Sequence, residues 1–207
     1  MLKFIYGVMG SSKTAQALIT KHNYEQNGFQ VILLKPDIDT RNKQVKSRIG
    51  LKAKCVSFSK DDNFLAMPLV DPDKSKKLVV IVDEVQFCTK EHIEQLKKIS
   101  TIYPVFCYGL KSNFKTELFE GSKRLLEIAD VVEEIYHPCH CGKPATINGL
   151  FKDGEIVLDG EEVQIGDTYT GADTYYKPIC YDCYLVYKEL PKPVITEVEI
   201  TKKKSAK

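Results

Sequence analysis

The chain has 207 residues, a length that suits one domain of ordinary size with a small additional module. With 43% hydrophobic and 28% charged residues it can bury a core and stay soluble, and a net charge of +2 gives no general reason to expect nucleic acid or a membrane as partner. No apolar run approaches the roughly 20 residues of a membrane-spanning helix, and the apolar start, residues 2–6, is too short for a secretory signal. We therefore expect a cytoplasmic location, in keeping with seven cysteines, an odd number that includes two close pairs.

Apolar and helical segments alternate along the first 136 residues. Continuous apolar runs predict strands of a parallel sheet that is covered on both faces. The predicted strands are 4–6, 29–34, 78–82, 104–110 and 131–136 with a short edge strand at 55–58, and the predicted helices are 13–26, 90–99 and 121–130. This alternation predicts an α/β fold with right-handed crossovers and a mostly parallel sheet, in which ligands bind beyond the carboxyl ends of the strands.

The character of the sequence changes after Tyr136. Glycines then punctuate short β-like segments between two cysteine pairs, at Gly149, Gly154, Gly160, Gly166 and Gly171. We place a domain boundary near His137. The chain then divides into an α/β domain (residues 1–136), a small β-rich module (137–192) and a basic tail (193–207) that is expected to be disordered.

The first functional motif is a glycine-bearing turn between the first strand and the first helix. Such a unit directs backbone N–H groups and a helix dipole at an anion. In a P-loop, a lysine reaches the β- and γ-phosphates of a nucleotide and the next hydroxyl ligates magnesium, and Lys13 and Thr14 occupy these positions. Ser12 stands where the P-loop pattern has glycine; its Cβ is tolerable if the backbone is near helical but can crowd the phosphates. The predicted ATP-binding residues of this turn are Gly7, Val8, Met9, Gly10, Ser11, Ser12, Lys13 and Thr14.

Two acids follow the predicted strand 78–82. Asp83 has the position of an acid that is presented to magnesium at a strand tip. Glu84 is the better candidate for a general base, because a hydroxyl that attacks a γ-phosphate must lose its proton. A solvated loop would explain an isolated Asp-Glu pair, but a P-loop in the same chain favours the functional interpretation. The ATP site then also includes Asp83, Glu84, Val85 and Gln86, with magnesium held by Thr14 and Asp83.

The two cysteine pairs predict a metal site. Residues 180–183 have the Cys-x-x-Cys spacing of a zinc knuckle, whereas residues 139–141 are one residue tighter. His137 or His140 can replace one ligand, but four thiolates are the preferred set. Four protein ligands leave no position for substrate, so the zinc would be structural. The predicted ligands are Cys139, Cys141, Cys180 and Cys183.

Four segments occur in an order that identifies a family. They are Gly7-x-Met9-x-Ser11-x-Lys13-Thr14, Asp83-Glu84-x-Gln86-Phe87, Tyr108-Gly109-Leu110-x-x-Asn113-Phe114, and a cysteine pair followed by Gly142-Lys143-Pro144-Ala145. Together they resemble the thymidine kinases of the zinc-containing cytosolic and bacterial type, over nearly the whole chain up to Leu190. The resemblance implies a RecA-like P-loop core with a small zinc domain. It also implies transfer of the γ-phosphoryl group of ATP to the 5′-hydroxyl of thymidine or deoxyuridine, a salvage step that supplies DNA synthesis.

The resemblance also implies site residues by position. Glu84 would be the base, and Asp39 and Arg41 would lie in a loop near the reacting groups. The walls of the base pocket would be Met9, Phe87, Leu110, Phe114 and Phe119, although aromatic residues near strand ends more often fill a core.

The segment between the cysteine pairs resembles a lasso that closes over thymidine. It contains Ile165 and Gly166. The family has a tyrosine shortly before the third cysteine, and here it is either Tyr175 or Tyr176. A homotetramer and feedback inhibition by dTTP are implied by the resemblance alone.

Two other functions share these motifs. One is a zinc-ribbon P-loop ATPase that acts on nucleic acid, and the other is a catalytically dead binding protein, which only Ser12 suggests. Tracking of a phosphate backbone needs a basic stripe with interleaved aromatic residues. The segment between the cysteine pairs is instead acidic, with Asp153, Glu155, Asp159, Glu161 and Glu162. We therefore expect thymidine and ATP as partners, Mg²⁺ and a structural Zn²⁺ as cofactors, and neither nucleic acid nor membrane.

Overall fold

The computed structural model describes residues 1–37, 44–67, 77–160 and 173–189. The elements in chain order are β1 (Leu2–Tyr6), α1 (Lys13–Gln26), β2 (Gln30–Pro36), β3 (Gln44–Lys46), β4 (Lys52–Lys54), β5 (Val56–Phe58), β6 (Leu78–Val82), a 3-10 turn (Val85–Phe87), α2 (Lys90–Ile99), β7 (Val105–Gly109), α3 (Glu120–Ile128), β8 (Val131–Glu134), β9 (Ile147–Lys152), β10 (Glu155–Val157), β11 (Thr174–Ile179) and α4 (Tyr181–Glu189).

The main sheet has six strands in the order β5–β2–β6–β7–β1–β8. Every neighbouring pair is parallel. Strand β7 lies between β1 and β6, in a register that places Tyr6 beside Gly109 and Val82 beside Cys107. The carboxyl ends of these three strands therefore meet at one edge of the sheet, where a doubly wound fold binds its ligands.

Helices cover both faces of this sheet, and the side chains of β6 show why the strand is apolar throughout. Val80 and Val82 point into a core formed with α2 and α3. Val79 and Ile81 point into a second core on the side of α1. Because successive side chains of a strand alternate between faces, a strand covered on both sides has no polar position.

Helix α2 begins where its capping residues require. The Thr89 Oγ1 accepts a hydrogen bond from the His92 N–H (3.2 Å), and the Thr89 N–H donates to the His92 Nδ1 (3.4 Å). This reciprocal pair satisfies backbone donors that the first turn leaves free. The helix runs over the residues that the sequence predicts.

The second module is built on a three-stranded antiparallel sheet in the order β10–β9–β11. Helix α4 follows β11 directly. A separate hydrophobic cluster holds this module together, and it includes one residue of the P-loop region, Val8, packed with Ile147, Phe151 and Ile179. The small sheet is thereby fixed against the glycine turn.

The predicted α/β class with a parallel sheet and a small β-rich module is confirmed, and each predicted core element is present within a few residues. The hairpin β3–β4 and helix α4 were not predicted, because each is short and has no clear hydrophobic period. The domain boundary near His137 stays a prediction. Residues 193–207 lie outside the described part of the chain. Among the described residues, no helix is long and apolar enough to cross a bilayer.

Candidate active site

The glycine turn after β1 has the backbone of an anion-binding loop. Its start is tied to the adjacent strand, because the Gly7 N–H donates to the Gly109 carbonyl (3.3 Å). Gly10 (φ 82°) and Ser12 (φ 64°) are both left-handed. Left-handed residues in such turns form concavities of backbone N–H groups that bind anions. Helix α1 then begins at Lys13 and adds its positive end to the same place.

The sequence suggested that a near-helical backbone at Ser12 would accommodate its Cβ, and the structure shows a different conformation. Its φ of 64° and ψ of 21° are left-handed, which costs a residue with a Cβ roughly 1–2 kcal/mol. The Ser12 carbonyl accepts the first helical hydrogen bond, from the Gln16 N–H (3.0 Å). The serine thus occupies a glycine conformation, and it lines the cavity in front of the loop.

Lys13 is held inside the loop, with 8% of its surface exposed. Its Nζ donates to the Val8 carbonyl (2.7 Å) and to the Ser11 Oγ (3.4 Å). Burial lowers the pKa of Lys13 to about 8, although the negative charges of Glu84 and Asp83 oppose the shift. An anion bound in the cavity would raise the pKa of this amine, because it would stabilise the charged form.

The side-chain oxygens of Asp83, after β6, and Thr14, in the first turn of α1, lie together. Asp83 is 3% exposed, and its backbone N–H donates to the Leu34 carbonyl (2.9 Å). Its carboxylate is hydrogen-bonded to the Thr14 side chain. Burial, followed by the charge of Glu84, raises the pKa of Asp83 to about 7, although Thr14 opposes this shift. A buried carboxylate beside a hydroxyl fits Mg²⁺, which prefers hard oxygen ligands and a nearby phosphate.

Glu84 is oriented by its neighbours. It has a left-handed backbone (φ 54°, ψ 40°), a strained conformation that often marks a functional position. Its Oε2 accepts a hydrogen bond from the Gln86 Nε2 (2.6 Å), and the Gln86 Oε1 accepts one from the Leu110 N–H (3.0 Å). A Cβ at Gly109 would lie 2.6 Å from that Oε1. The glycine therefore leaves the space in which Gln86 holds the carboxylate.

Two cavities meet at Glu84. The first, of about 240 Å³, lies in front of the P-loop and is lined by Lys13, Thr14 and the hairpin tip. The second, of about 230 Å³, is mostly apolar. It is lined by Met9, Glu84, Gln86, Phe87, Leu110, Ser112, Asn113, Phe114, Phe119, Asn148 and Tyr176. All five residues that the resemblance assigns to the base pocket are in this second set.

The apolar cavity has the chemistry of a site for a small, neutral, planar ligand. The Phe87 and Phe119 rings stand edge to face with centroids 6.0 Å apart, and Phe114 is 1% exposed. A few polar side chains, including Asn113, open into otherwise apolar walls. Sites for small molecules typically combine apolar walls with a few polar groups that fix orientation.

The structure separates the two candidate tyrosines. Strand β11 alternates, so Tyr175 and Tyr176 point to opposite faces of the small sheet. Tyr176 lines the apolar cavity and packs with Phe114. Tyr175 stacks on Phe151 instead (5.5 Å between centroids, 11° between planes).

Asn148 is a site residue that the sequence does not indicate. Its Oδ1 accepts a hydrogen bond from the Met9 N–H (2.6 Å), across 139 positions of sequence. The side chain is 4% exposed and lines the apolar cavity. An asparagine in a strand carries no local signal of such a contact. The small module therefore contributes both a P-loop contact and a wall of the second cavity.

The sequence also gave no indication that the tip of the β3–β4 hairpin belongs to the site. Lys46, Ser47, Arg48 and Ile49 form one wall of the P-loop cavity. The other predicted site residues Asp39, Arg41, Ile165 and Gly166 lie outside the described residues.

The four predicted cysteines come together. Their sulfur atoms all lie within 4.8 Å of one another, with Cys141 and Cys180 3.5 Å apart. Tetrahedral zinc with Zn–S bonds of about 2.3 Å implies sulfur separations of about 3.8 Å, so the cluster fits that ion. Burial raises the pKa of Cys139, but hydrogen bonds from the backbone at Cys141 and Cys180 outweigh it and bring the pKa down to about 6. Burial and hydrogen bonds to the other three thiols raise the pKa of Cys183 to about 12 in the same cluster. A thiolate is the form that binds metal.

Neither histidine belongs to this cluster. The His137 Nε2 would lie 3.5 Å from a Cβ built on Gly10, which places the ring at the P-loop. The His140 ring borders the cluster, with its nitrogen atoms 3.5 Å from the Cys139 sulfur and 3.7 Å from the Cys183 sulfur. The four thiols are the complete set of clustered ligand atoms in the described chain.

Comparisons with known proteins agree with this geometry. A family model described as thymidine kinase matches residues 1–184. A thymidine kinase of Lactiplantibacillus plantarum is 41% identical over 197 residues, which cover 92% of this chain and 98% of the relative. One of Lactococcus lactis is 40% identical over 188 residues (88% and 96%), and one of Enterobacteria phage T4 is 42% identical over 172 residues (80% and 89%).

Proposed function

Because the chain belongs to the thymidine kinase family, we propose that it transfers the γ-phosphoryl group of ATP to the 5′-hydroxyl of thymidine, and of deoxyuridine. Phosphorylation of thymidine is the activity that the family name and the names of the relatives give. The observation that carries the proposal is the position of Glu84, which lines both the P-loop cavity and the apolar cavity. The base in phosphoryl transfer must lie between the phosphate site and the nucleoside pocket, and the Glu84 carboxylate has this position.

The donor side is the P-loop cavity. The backbone N–H groups of residues 7–14 and the start of α1 would hold the triphosphate of ATP. Lys13 would face the β- and γ-phosphates from inside the loop, where it now contacts the Val8 carbonyl. Mg²⁺ would be held by Thr14 and Asp83, and when bound it neutralises phosphate charge and fixes the reacting group.

The acceptor side is the apolar cavity. Phe87, Phe114 and Phe119 would hold the pyrimidine between aromatic surfaces, and Met9 and Leu110 are shared with the donor cavity. The thymidine 5′-hydroxyl would lie at this boundary beside Glu84. Glu84 would accept the hydroxyl proton as the oxygen bonds to the γ-phosphorus and the bond to ADP breaks, and Gln86 would keep its carboxylate in position.

The cysteine cluster has a structural part in this proposal. Cys139, Cys141, Cys180 and Cys183 would hold Zn²⁺, and the bound ion would join the loop at residue 139 to the start of α4. Cys139 and Cys180 pack in the same hydrophobic cluster as Val8. The metal would thus stabilise the module that supports the P-loop.

The remaining expectations are proposals of the same kind. The product dTMP would enter DNA synthesis through salvage in the cytoplasm, and a homotetramer and inhibition by dTTP follow from the family. Neither nucleic acid nor membrane is a proposed partner. A zinc-ribbon ATPase on nucleic acid is not favoured, because the family model spans both the P-loop and the cysteine cluster.

The test is direct. The protein is incubated with Mg²⁺, γ-labelled ATP and thymidine, and labelled dTMP is measured, with 5′-deoxythymidine as an acceptor that lacks the reacting hydroxyl. We expect label in dTMP and none with the control nucleoside. ATP hydrolysis that DNA stimulates, without dTMP, would instead support the nucleic-acid ATPase, and no turnover at all would support a binding protein.

A further inference from the structure

The hairpin β3–β4 presents a defined tip beside the P-loop. Its two strands pair with Val45 opposite Ala53. The Val45 side chain is buried, with 1% of its surface exposed, in the hydrophobic core on the α1 side of the sheet. The Leu51 N–H donates to the Ser47 Oγ (3.0 Å), and the Ser47 N–H donates to the Leu51 carbonyl (2.8 Å). Gly50 supplies a left-handed turn (φ 90°) between them. The tip is therefore anchored to the body of the protein.

Arg48 extends from this tip toward the middle of the P-loop. Its Nη1 would lie 3.9 Å from a Cβ built on Gly10. It lines the same cavity as Lys13, Lys46 and the carboxylate of Glu84. Its positive charge disfavours protonation of Lys13, an effect smaller than the opposite effects of Glu84 and Asp83. Three cations from two distant segments thus border a cavity of about 240 Å³.

In the described part of the chain Arg48 forms no salt bridge, and the ion pairs found there join other side chains. Two cations that border one cavity repel each other, and an anion bound between them removes this repulsion. Guanidinium groups are always charged, and their planar donors match phosphate oxygens in pairs.

We propose that Arg48 binds the β- and γ-phosphates of ATP from the hairpin wall of the cavity, so that the hairpin tip completes the donor site. This inference rests on the function proposed above. During transfer, negative charge accumulates on the oxygens of the γ-phosphoryl group and of the departing ADP, and a fixed guanidinium stabilises it. Arg48 is distinct from Arg41, which the family resemblance places near the reacting groups.

The experiment compares Arg48→Met, Arg48→Lys and Lys52→Met in the full chain. Lys52 is a matched control, because it is exposed on the same hairpin, pairs with Lys46 and does not line the cavity. Steady-state rates give kcat/KM for ATP and KM for thymidine. Calorimetric titration with ATP and with adenosine, without thymidine, measures donor binding independently of turnover.

We expect Arg48→Met to lower kcat/KM for ATP roughly 10- to 100-fold, the usual effect of losing a charge-assisted contact. Its affinity for ATP should fall while its affinity for adenosine, its KM for thymidine and its melting temperature stay near wild type. Arg48→Lys should recover part of the loss, and Lys52→Met should remain within about twofold.

Two results would overturn the proposal. One is a folded Arg48→Met protein whose ATP affinity and kcat/KM stay within about threefold of wild type. The other is an equal loss in Lys52→Met, which would indicate a general charge effect. If the wild-type protein forms no dTMP, the proposed function fails, but the ATP titration still decides whether Arg48 binds the phosphates.

Discussion

Replacement of Glu84 by glutamine tests the assignment of the base. Glutamine has nearly the same shape, and its side-chain carbonyl can still accept the hydrogen bond from the Gln86 Nε2 that Glu84 now accepts at 2.6 Å. The variant therefore keeps the position of the side chain and loses its ability to accept a proton. A positioned base contributes about 10²- to 10⁴-fold to a rate, which corresponds to roughly 2.7–5.5 kcal/mol of transition-state stabilisation.

We expect kcat of Glu84→Gln to fall by that factor, while the KM values for ATP and thymidine change less than about threefold, because contacts made equally in the ground state remain. Initial rates of dTMP formation from labelled thymidine at saturating ATP measure both quantities. Glu155→Gln, an exposed acid on β10, controls for the general loss of a carboxylate. A folded Glu84→Gln protein with less than a tenfold loss of kcat would show that another group accepts the proton.

Three further predictions use contrasts within the structure. Tyr176→Ala should raise KM for thymidine about tenfold, because the ring contact with the nucleoside is lost. Tyr175→Ala loses the stack on Phe151 and should lower the melting temperature without that change in KM. The opposite pattern would assign the nucleoside contact to Tyr175. Cys180→Ser should release zinc, measured with a chromogenic chelator, and destabilise the fold by about 3 kcal/mol or more, whereas Cys55→Ser, outside the cluster, should retain the metal. An unchanged melting temperature in Cys180→Ser would argue against a bound metal. Because the folded-state pKa of Asp83 is raised to about 7, its contribution to stability is complete below its unfolded pKa of about 4 and is lost as pH rises through 7. In urea unfolding of the nucleotide-free protein, the free energy of unfolding of Asp83→Asn should therefore increase by about 2–4 kcal/mol relative to wild type between pH 4 and pH 8. A difference that does not change with pH would refute the shift.

The core of the fold was predictable because its signals are local. The run Leu78–Val82 is apolar at every position, and in the structure both faces of that strand are covered. Thr89 caps α2 through a residue three positions away. The glycine turn before Lys13 and the close cysteine pairs likewise carry their chemistry within a few residues, so spacing alone predicted a phosphate loop and a metal cluster.

The rest of the site depends on contacts between distant segments. Asn148 reaches Met9 across 139 positions, and Arg48 approaches Gly10 from a hairpin with only three residues in each strand. Neither residue lies in a pattern that marks it. Which of Tyr175 and Tyr176 lines the apolar cavity depends on the register of β11 with β9, since a shift of one position would exchange their faces.

By itself, therefore, the sequence determined the parallel sheet, the phosphate loop, the acids at the tip of β6 and the four thiols, because hydrophobic period and short-range spacing specify each of them. Only the tertiary structure decided that Glu84 lines two cavities, that Ser12 adopts a left-handed backbone, and that the hairpin and the small module complete the two pockets. Those features arise from packing between segments far apart in the chain, where one residue's role depends on which other residue the fold places beside it.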